Sequence, residues 1–478
     1  MLNWWLIVLI VVCSLLCLAI SIYVLYYFSS EDDHEGSYLT KVIIVFGILL
    51  AIGVVLLLPF DASNARDPTV GSKYVNTLNT DLMWEIVLWS LAAMALVVVP
   101  FTVFFYEAYD PDDESFSKQC GQAITLTLIV SFVFIVITAV CFLSFGTALV
   151  PVELYEALPQ IVDDIDRVSY NTTSDKDKFE VHVSIFTYVV GELCLVGWIA
   201  FFFYAGVGLV SVPVDLIRGF INRPKPISGS TFAQEMAVIA AKGDTLLSVA
   251  LALQNEARGK VPRSMRNKIS FLRAETHVLE EEQEELIWNY KKVGGSPFIV
   301  YGKLLIGILS VALSISWVLQ IFLHNTFKIV PFLSTLVTAL DEVFPLFGII
   351  TYGIFAFYLV WITLEGQIRV GLRFVFFQIH PMKPHDTTLN SIVFNVGLLL
   401  LTSYAILQFT TRSFNEYIPR TSINALMNLY VMNLKGIGVA VEWAQFCLLG
   451  VSFLGLLFVL ACPAKNAAAR PKKPNYST

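Results

Sequence analysis

Charge is what this sequence has least of. Asp, Glu, Lys and Arg make up 14% of its 478 residues, where a soluble domain carries about a quarter. A chain so poor in charge, and 56% hydrophobic, does not keep most of its length in water. Catalytic signatures are also lacking. There is no His-Glu-x-x-His, no nucleophile elbow, no Walker loop and no Rossmann glycine pattern. The six histidines are scattered. His380 and His385 flank "PMKP" and are too sparse for a metal site. Asp110, Asp112, Asp113 and Glu114 lack the glycine and the bidentate Glu of a calcium loop. The expectation is a protein that is not an enzyme, with no metal site and no cofactor. A net charge of −7 offers no basic surface to nucleic acid.

Cysteine is sparse and misplaced for disulfides. Cys13, Cys17, Cys141, Cys194 and Cys447 lie in apolar runs, and Cys120 and Cys462 lie at the inner ends of such runs. None falls in a segment expected outside, which excludes a disulfide-stapled outer surface. Cys120 and Cys462 occupy positions where cysteines are acylated in other membrane proteins. Packing as small hydrophobes is their plainer role.

What is present is a series of long apolar runs. A helix needs roughly 20 apolar residues to cross the hydrocarbon core. The runs 4–28, 42–60, 83–106, 121–146, 182–212, 299–323, 344–364, 388–410 and 437–462 meet that length or come close to it. They are continuous rather than alternating in short segments, so a membrane β-barrel is excluded. The first run is too long for a signal peptide and reads as a retained span. The fold class expected is an all-α membrane protein with about nine transmembrane helices.

Orientation follows from the basic residues. With the N-terminus outside and the C-terminus cytosolic, 22 of the 31 Lys and Arg fall on the inner side. The acceptor pattern Asn171-Thr172-Thr173 then lies outside, in 147–181, as glycosylation requires. The expected organisation is five spans in 1–212, a cytosolic helical insert in 213–297, four spans in 298–462 and a basic tail in 463–478. Two helices are legible in the insert, at 231–257 and 263–292. The second carries a heptad-like stripe of Met265, Ile269, Leu272, Thr276, Leu279 and Leu286. Such a seam either closes a helical hairpin on itself or receives a cytosolic partner or a second copy. Pro59, Pro100 and Pro213 are expected to kink or end their helices. Gly47, Gly53, Gly206, Gly208, Gly348 and Gly353 permit close helix contact.

Ionisable residues inside a span are costly and mark function by default. Glu192 lies ten residues into the run 182–212 and reads as the deepest acid. Glu442 lies five residues into 437–462, nearer the outer face. These two are the candidate ligand-binding residues. Each could hold a cation or hydrogen-bond a ligand, or else fix helix packing. Glu85, Glu107, Glu365 and Asp215 sit at span ends, where water or headgroups are within reach.

Several segments together resemble a known family. They are "KVIIVFGILLAIGVVLLLPFDASNARD" (41–67), "VPFTVFFYEAYD" (99–110), "GVGLVSVPVDLIRGFINRPK" (206–225) and "IHPMKPHDTTLNSIVFNVGLLLLTSYAILQF" (379–409). In order and spacing the chain is similar to the lipocalin-interacting membrane receptor, or limb-region-like, multi-pass proteins, and most of all to their plant-type branch. The resemblance implies nine spans with an outward N-terminus. It also implies one of two roles known among relatives, internalising lipocalins or exporting cobalamin from lysosomes. It brings no ligand-contact motif that can be matched to residues here.

The functional expectation is therefore a receptor-like protein of the plasma membrane or of endosomal or lysosomal membranes. It would bind a lipocalin or a small lipophilic ligand and couple it to uptake or signalling. Segments 147–181 and 411–436 would form the ligand face, 411–436 either as an amphipathic helix against the membrane or as a cover on the bundle. Partners would be the bilayer, cytosolic proteins at 227–297 and a second copy of the chain. The rival expectations are a transporter of a cobalamin-like or lipidic solute and a scaffold in a membrane complex. The orientation makes a direct prediction: on expression in a glycosylating host, Asn171→Gln removes one glycan, seen as a gel shift. A change at Asn475, whose tripeptide Asn475-Tyr476-Ser477 is expected inside, shifts nothing.

Overall fold

The computed structural model describes residues 4–30, 38–65, 78–108, 116–160, 169–221, 228–256, 272, 275–276, 278–280, 282–284, 286–287, 290, 297–374, 377–379, 382 and 387–461. Among the described residues nine helices are long and apolar enough to cross a membrane. The first five spans are Trp4–Phe28, Tyr38–Asn64, Thr80–Glu107, Phe116–Phe145 and Ile185–Ile221. The sixth is Pro297–Gln320, continued by a π-helical turn at Ile321–Thr326. The seventh, eighth and ninth are Pro345–Val370, Leu389–Ser413 and Ile437–Ala461. Helices are the expected answer, because in lipid every backbone N–H and C=O must find its partner within the protein.

Pro59 and Pro213 do not end their helices. Pro59 and Pro213 lie inside helices that run on to Asn64 and Ile221. Apolar packing around a span carries the helix through the one donor that proline lacks. Pro100 follows a π-helical turn at Met94–Val98, where the Val99 N–H bonds back to Met94 O. The wider turn re-registers the ladder just before the residue that cannot donate.

Two compact units are present, one formed by residues 1–212 and 311–478 and the other by 213–310. In the larger unit the eighth span is the axis: 83% of its apolar window is buried, against 6% for the fourth span, which presents its sides to lipid. Close approach depends on glycine at particular places. A Cβ on Gly208 would fall on the Ile362 carbonyl, and one on Gly366 on the Tyr204 carbonyl. The fifth and seventh spans thus touch backbone to backbone over one helical turn. Gly47, Gly206 and Gly348 instead face side chains, those of Val396, Val451 and Asp341. Gly53, expected to be a contact, has nothing within reach of an added Cβ.

Two elements were not foreseen. Thr147–Gln160 and Ser169–His182 form an antiparallel β-hairpin with Thr147 opposite His182. A short amphipathic helix, Phe332–Val343, lies between the sixth and seventh spans and buries Leu333, Ser334 and Val337. The smaller unit holds the helix Gly229–Glu256. Its N-terminus is capped by Ser228, whose Oγ accepts from the Thr231 N–H at 3.2 Å. Phe232 stacks on Tyr290 at 4.2 Å, and Lys242 pairs with Glu282 at 3.0 Å. As one number rises the other falls, so the two segments run antiparallel and the seam closes on itself, with Leu286 buried. Met265 and Ile269 of the stripe, Cys462 and the tail lie outside the described residues.

The glycine seam carries a prediction. Gly208→Ala should lower stability by about 1–3 kcal/mol through overpacking, read as a fall in detergent melting temperature. Gly53→Ala, in open space, should leave the melting temperature unchanged or slightly higher.

Candidate functional site

Polar residues in a span are satisfied by neighbouring helices or not at all. The eighth span holds the largest set. Thr402, Ser403, Gln408, Thr410, Thr411 and Ser413 are fully buried. Some of them bond back to their own helix: Ser403 donates to Leu399 O at 2.8 Å and Thr411 to Leu407 O at 2.9 Å. Others reach across. Trp198 Nε1 donates to Gln408 Oε1 at 3.0 Å, and the Tyr404 hydroxyl donates to Leu88 O at 2.7 Å. Gln320 Nε2 donates to Ser413 O at 2.9 Å, while its Oε1 accepts from the Leu333 N–H at 2.9 Å. Near the other end Gln367 Nε2 donates to Asn395 O at 2.7 Å. Around this ladder Trp198, Phe201, Phe409, Trp317, Phe414 and Tyr352 form a continuous aromatic packing.

One end of the larger unit is closed by chain rather than left open. After the eighth span the segment 414–436 folds over the helix ends, with Phe414, Ile418, Ile423, Met427, Val431 and Leu434 buried. It covers the bundle and does not lie as an exposed amphipathic helix. Beneath it lies Asp61, completely buried at the end of the second span. Its Oδ2 accepts from Trp84 Nε1 at 2.8 Å and from the Ile423 N–H at 3.2 Å. Beside it Thr80 and Ser422 share a hydrogen bond of 3.0 Å. A second carboxyl, Asp341, accepts from the Tyr417 hydroxyl at 2.8 Å and from the Gly348 N–H at 3.0 Å. The hairpin joins the same segment: Ala148 pairs with Leu434, the Lys435 N–H donates to Thr147 O at 3.3 Å, and Lys435 Nζ pairs with Glu180.

The residues singled out from sequence fall in separate places. Glu192 is half-buried, and its Oε2 accepts from the Thr138 hydroxyl at 2.7 Å, which ties the fifth span to the fourth. Glu442 is exposed and pairs with Arg412 at 3.3 Å. The two carboxyls thus have different partners on different helices. Asn171 lies in the second strand of the hairpin, opposite Leu158. Cys120 is a free, half-buried thiol. Asp215 belongs to the smaller unit. Glu192 is not the most buried acid: Asp61 is more enclosed. Sequence reasoning passed over Asp61 because "LLPFDASN" reads as an ordinary span end. The chain that buries it comes some 360 residues later. Gln408, Thr402 and Thr411 did carry a signal, since polar residues amid an apolar span mark a helix that faces protein.

Family comparison fits this architecture. The family model described as LMBR1-like membrane protein matches residues 6–297 and 297–437. The chain belongs to this family. A LIMR family protein of Dictyostelium discoideum is 30% identical, the match covering 98% of this chain and 99% of that one. A LIMR family protein of Arabidopsis thaliana is also 30% identical, over 95% and 94% of the two chains. One from Oryza sativa is 29% identical, over 93% of each. No solved structure matches.

In this LMBR1-like protein one contact at the base of the hairpin is expected to weaken in acid. The hydrogen bond from Lys435 holds the Glu180 carboxyl below the ordinary glutamate value of 4.5. A lowered folded-state value means that the contribution is complete above about 4.5 and is lost as pH falls through the folded value. The pair is exposed, so the effect is local rather than global. Protection of the Lys435 amide against hydrogen exchange, taken relative to its intrinsic rate, should therefore fall below about pH 4.5, and Lys435→Met should remove that acid-dependent step.

Proposed function

We propose that this LMBR1-like protein is a non-enzymatic receptor whose ligand face is built from the hairpin 147–182 and the closing segment 414–436. The observation that supports the reading is the joint between the two: Ala148 pairs with Leu434, and Lys435 grips both Thr147 and Glu180. A hairpin tied at its base to a packed cover offers a shaped surface at one end of the bundle. Beneath that cover the eighth span is solidly buried, which fits a platform better than a passage. The excess of Lys and Arg in 213–297 and in the tail favours placing the opposite end in the cytosol. The ligand face then looks outward or into a lumen, with the antiparallel helices of the insert available to cytosolic partners. The ligand class that fits the family is a lipocalin or a small lipophilic cargo, taken up or signalled from a plasma, endosomal or lysosomal membrane.

A second reading is transport of a cobalamin-like or lipidic solute. The π-helical turns at Met94–Val98 and Ile321–Thr326 favour it, because such turns mark yielding points in helices. The half-buried Glu192 favours it too. Proteoliposomes carrying the full chain separate the two readings. A purified lipocalin and radiolabelled cobalamin are offered in turn. The receptor reading expects saturable lipocalin binding, weakened by Lys435→Ala, and no cobalamin flux. Glu192-dependent flux without surface binding would reject it in favour of transport.

A further inference from the structure

Among the described residues three buried oxygens at the closed end of the bundle have no hydrogen-bond partner: Asp61 Oδ1, Asn64 Oδ1 and the Tyr352 hydroxyl. Asp61 and Tyr352 are fully enclosed, and Asn64 is 2% exposed. Such orphans are rare, because an unsatisfied buried polar group is expensive and a buried unpaired charge more so. Asp61 and Asn64 stand three residues apart on one helix, hence on the same face. Tyr352 comes from the seventh span, where its neighbour Gly353 faces Pro59 of the second span with 3.5 Å from an added Cβ to Pro59 Cγ, and its ring packs against Tyr417 at 5.9 Å. The surrounding bonds hold the set in place. Trp84 and Ile423 donate to Asp61 Oδ2, and the Thr80 hydroxyl, which shares a hydrogen bond with Ser422, stands beside the same carboxyl; Oδ1 keeps room for a further ligand. The Asn64 amide nitrogen is committed to Leu78 O at 3.0 Å, which leaves its oxygen as the open atom.

We propose that Asp61, Asn64 and Tyr352 hold a monovalent metal cation, Na+, beneath the segment 421–427. The donor set is entirely oxygen: a carboxylate, an amide carbonyl and a hydroxyl, which is the chemistry of a hard cation. Charge points the same way. Among the described residues the charged side chain acting on Asp61 is Asp81, another acid, and no Lys, Arg or His contributes to its surroundings. Farther out, Asp341 is engaged by Tyr417 and Gly348. A water molecule would satisfy an orphan oxygen and a proton would neutralise the carboxyl; a cation does both at once. A single carboxylate at the site matches a monovalent ion better than a divalent one. The ion would also brace the closure, since Ile423 of the covering segment binds the same carboxylate.

Binding of radiolabelled Na+ to the purified full chain, by scintillation proximity in choline-exchanged detergent buffer, tests the site. Wild type should bind Na+ saturably, and Na+ but not choline at equal ionic strength should raise the melting temperature. Asp61→Asn should abolish both effects. Tyr352→Phe and Asn64→Ala remove a ligand without removing the charge and should each weaken affinity about tenfold. Asn64→Asp adds a second carboxylate and should confer Ca2+ binding. Absence of saturable Na+ binding in wild type overturns the proposal. So does unchanged affinity in both Tyr352→Phe and Asn64→Ala, an outcome that remains decisive even where Asp61→Asn fails to fold.

Discussion

The eighth span turns its polar side chains into the protein on nearly every side, and its neighbours answer with donors and acceptors of their own. Trp198 reaches Gln408, Tyr404 reaches Leu88, Gln320 reaches Ser413 and Gln367 reaches Asn395. Lipid offers no substitute for any of these partners. A helix carrying Thr402, Gln408, Thr410 and Thr411 is therefore held at the centre, and the helices that satisfy it are held around it. Interhelical hydrogen bonds contribute only about 0.6 kcal/mol each on average. Their number and their fixed positions set the arrangement, and the aromatic packing of Trp198, Phe409 and Trp317 fills the space between them.

From that axis the closed end follows. The chain leaves the eighth span at Ser413 and has to return to the bundle before the ninth begins at Ile437. It does so by burying apolar residues along its length and by giving one backbone N–H, that of Ile423, to Asp61. A carboxyl that would otherwise meet water is thereby sealed. The hairpin is joined to the outer part of the same segment, at Leu434 and Lys435. Buried polar chemistry and the proposed recognition surface thus share one structural element, which gives a route by which an event at the surface reaches the carboxyl below.

The span count and the helical class were legible in the sequence, because hydrocarbon thickness and backbone satisfaction act on each segment alone. The antiparallel seam of the insert was half legible: Leu279 lay on the expected stripe, while its neighbour Gly243 and the stacking of Phe232 on Tyr290 were visible only when paired. The hairpin was not foreseen, although Val150, Val152 and Leu154 alternate with Pro151 and Glu153, and Phe179 and Val181 with Glu180 and His182; so short an alternation does not name its pairing partner. Glu192 and Glu442 were found by depth along the chain, but depth says nothing of sideways surroundings. The structure gives them Thr138 and Arg412 as partners.

Sequence by itself determined which stretches enter the membrane, for that depends on local length and apolarity. Tertiary structure alone decided which of those stretches faces protein and which faces lipid, and which acid is sealed. The fourth and eighth spans are both apolar helices of similar length, yet one is nearly bare and the other nearly enclosed. Asp61 closes a span in the sequence much as Asp215 does, and only contacts with Trp84 and Ile423 distinguish it. The physical reason is that burial is a property of neighbours, and these neighbours come from opposite ends of the chain.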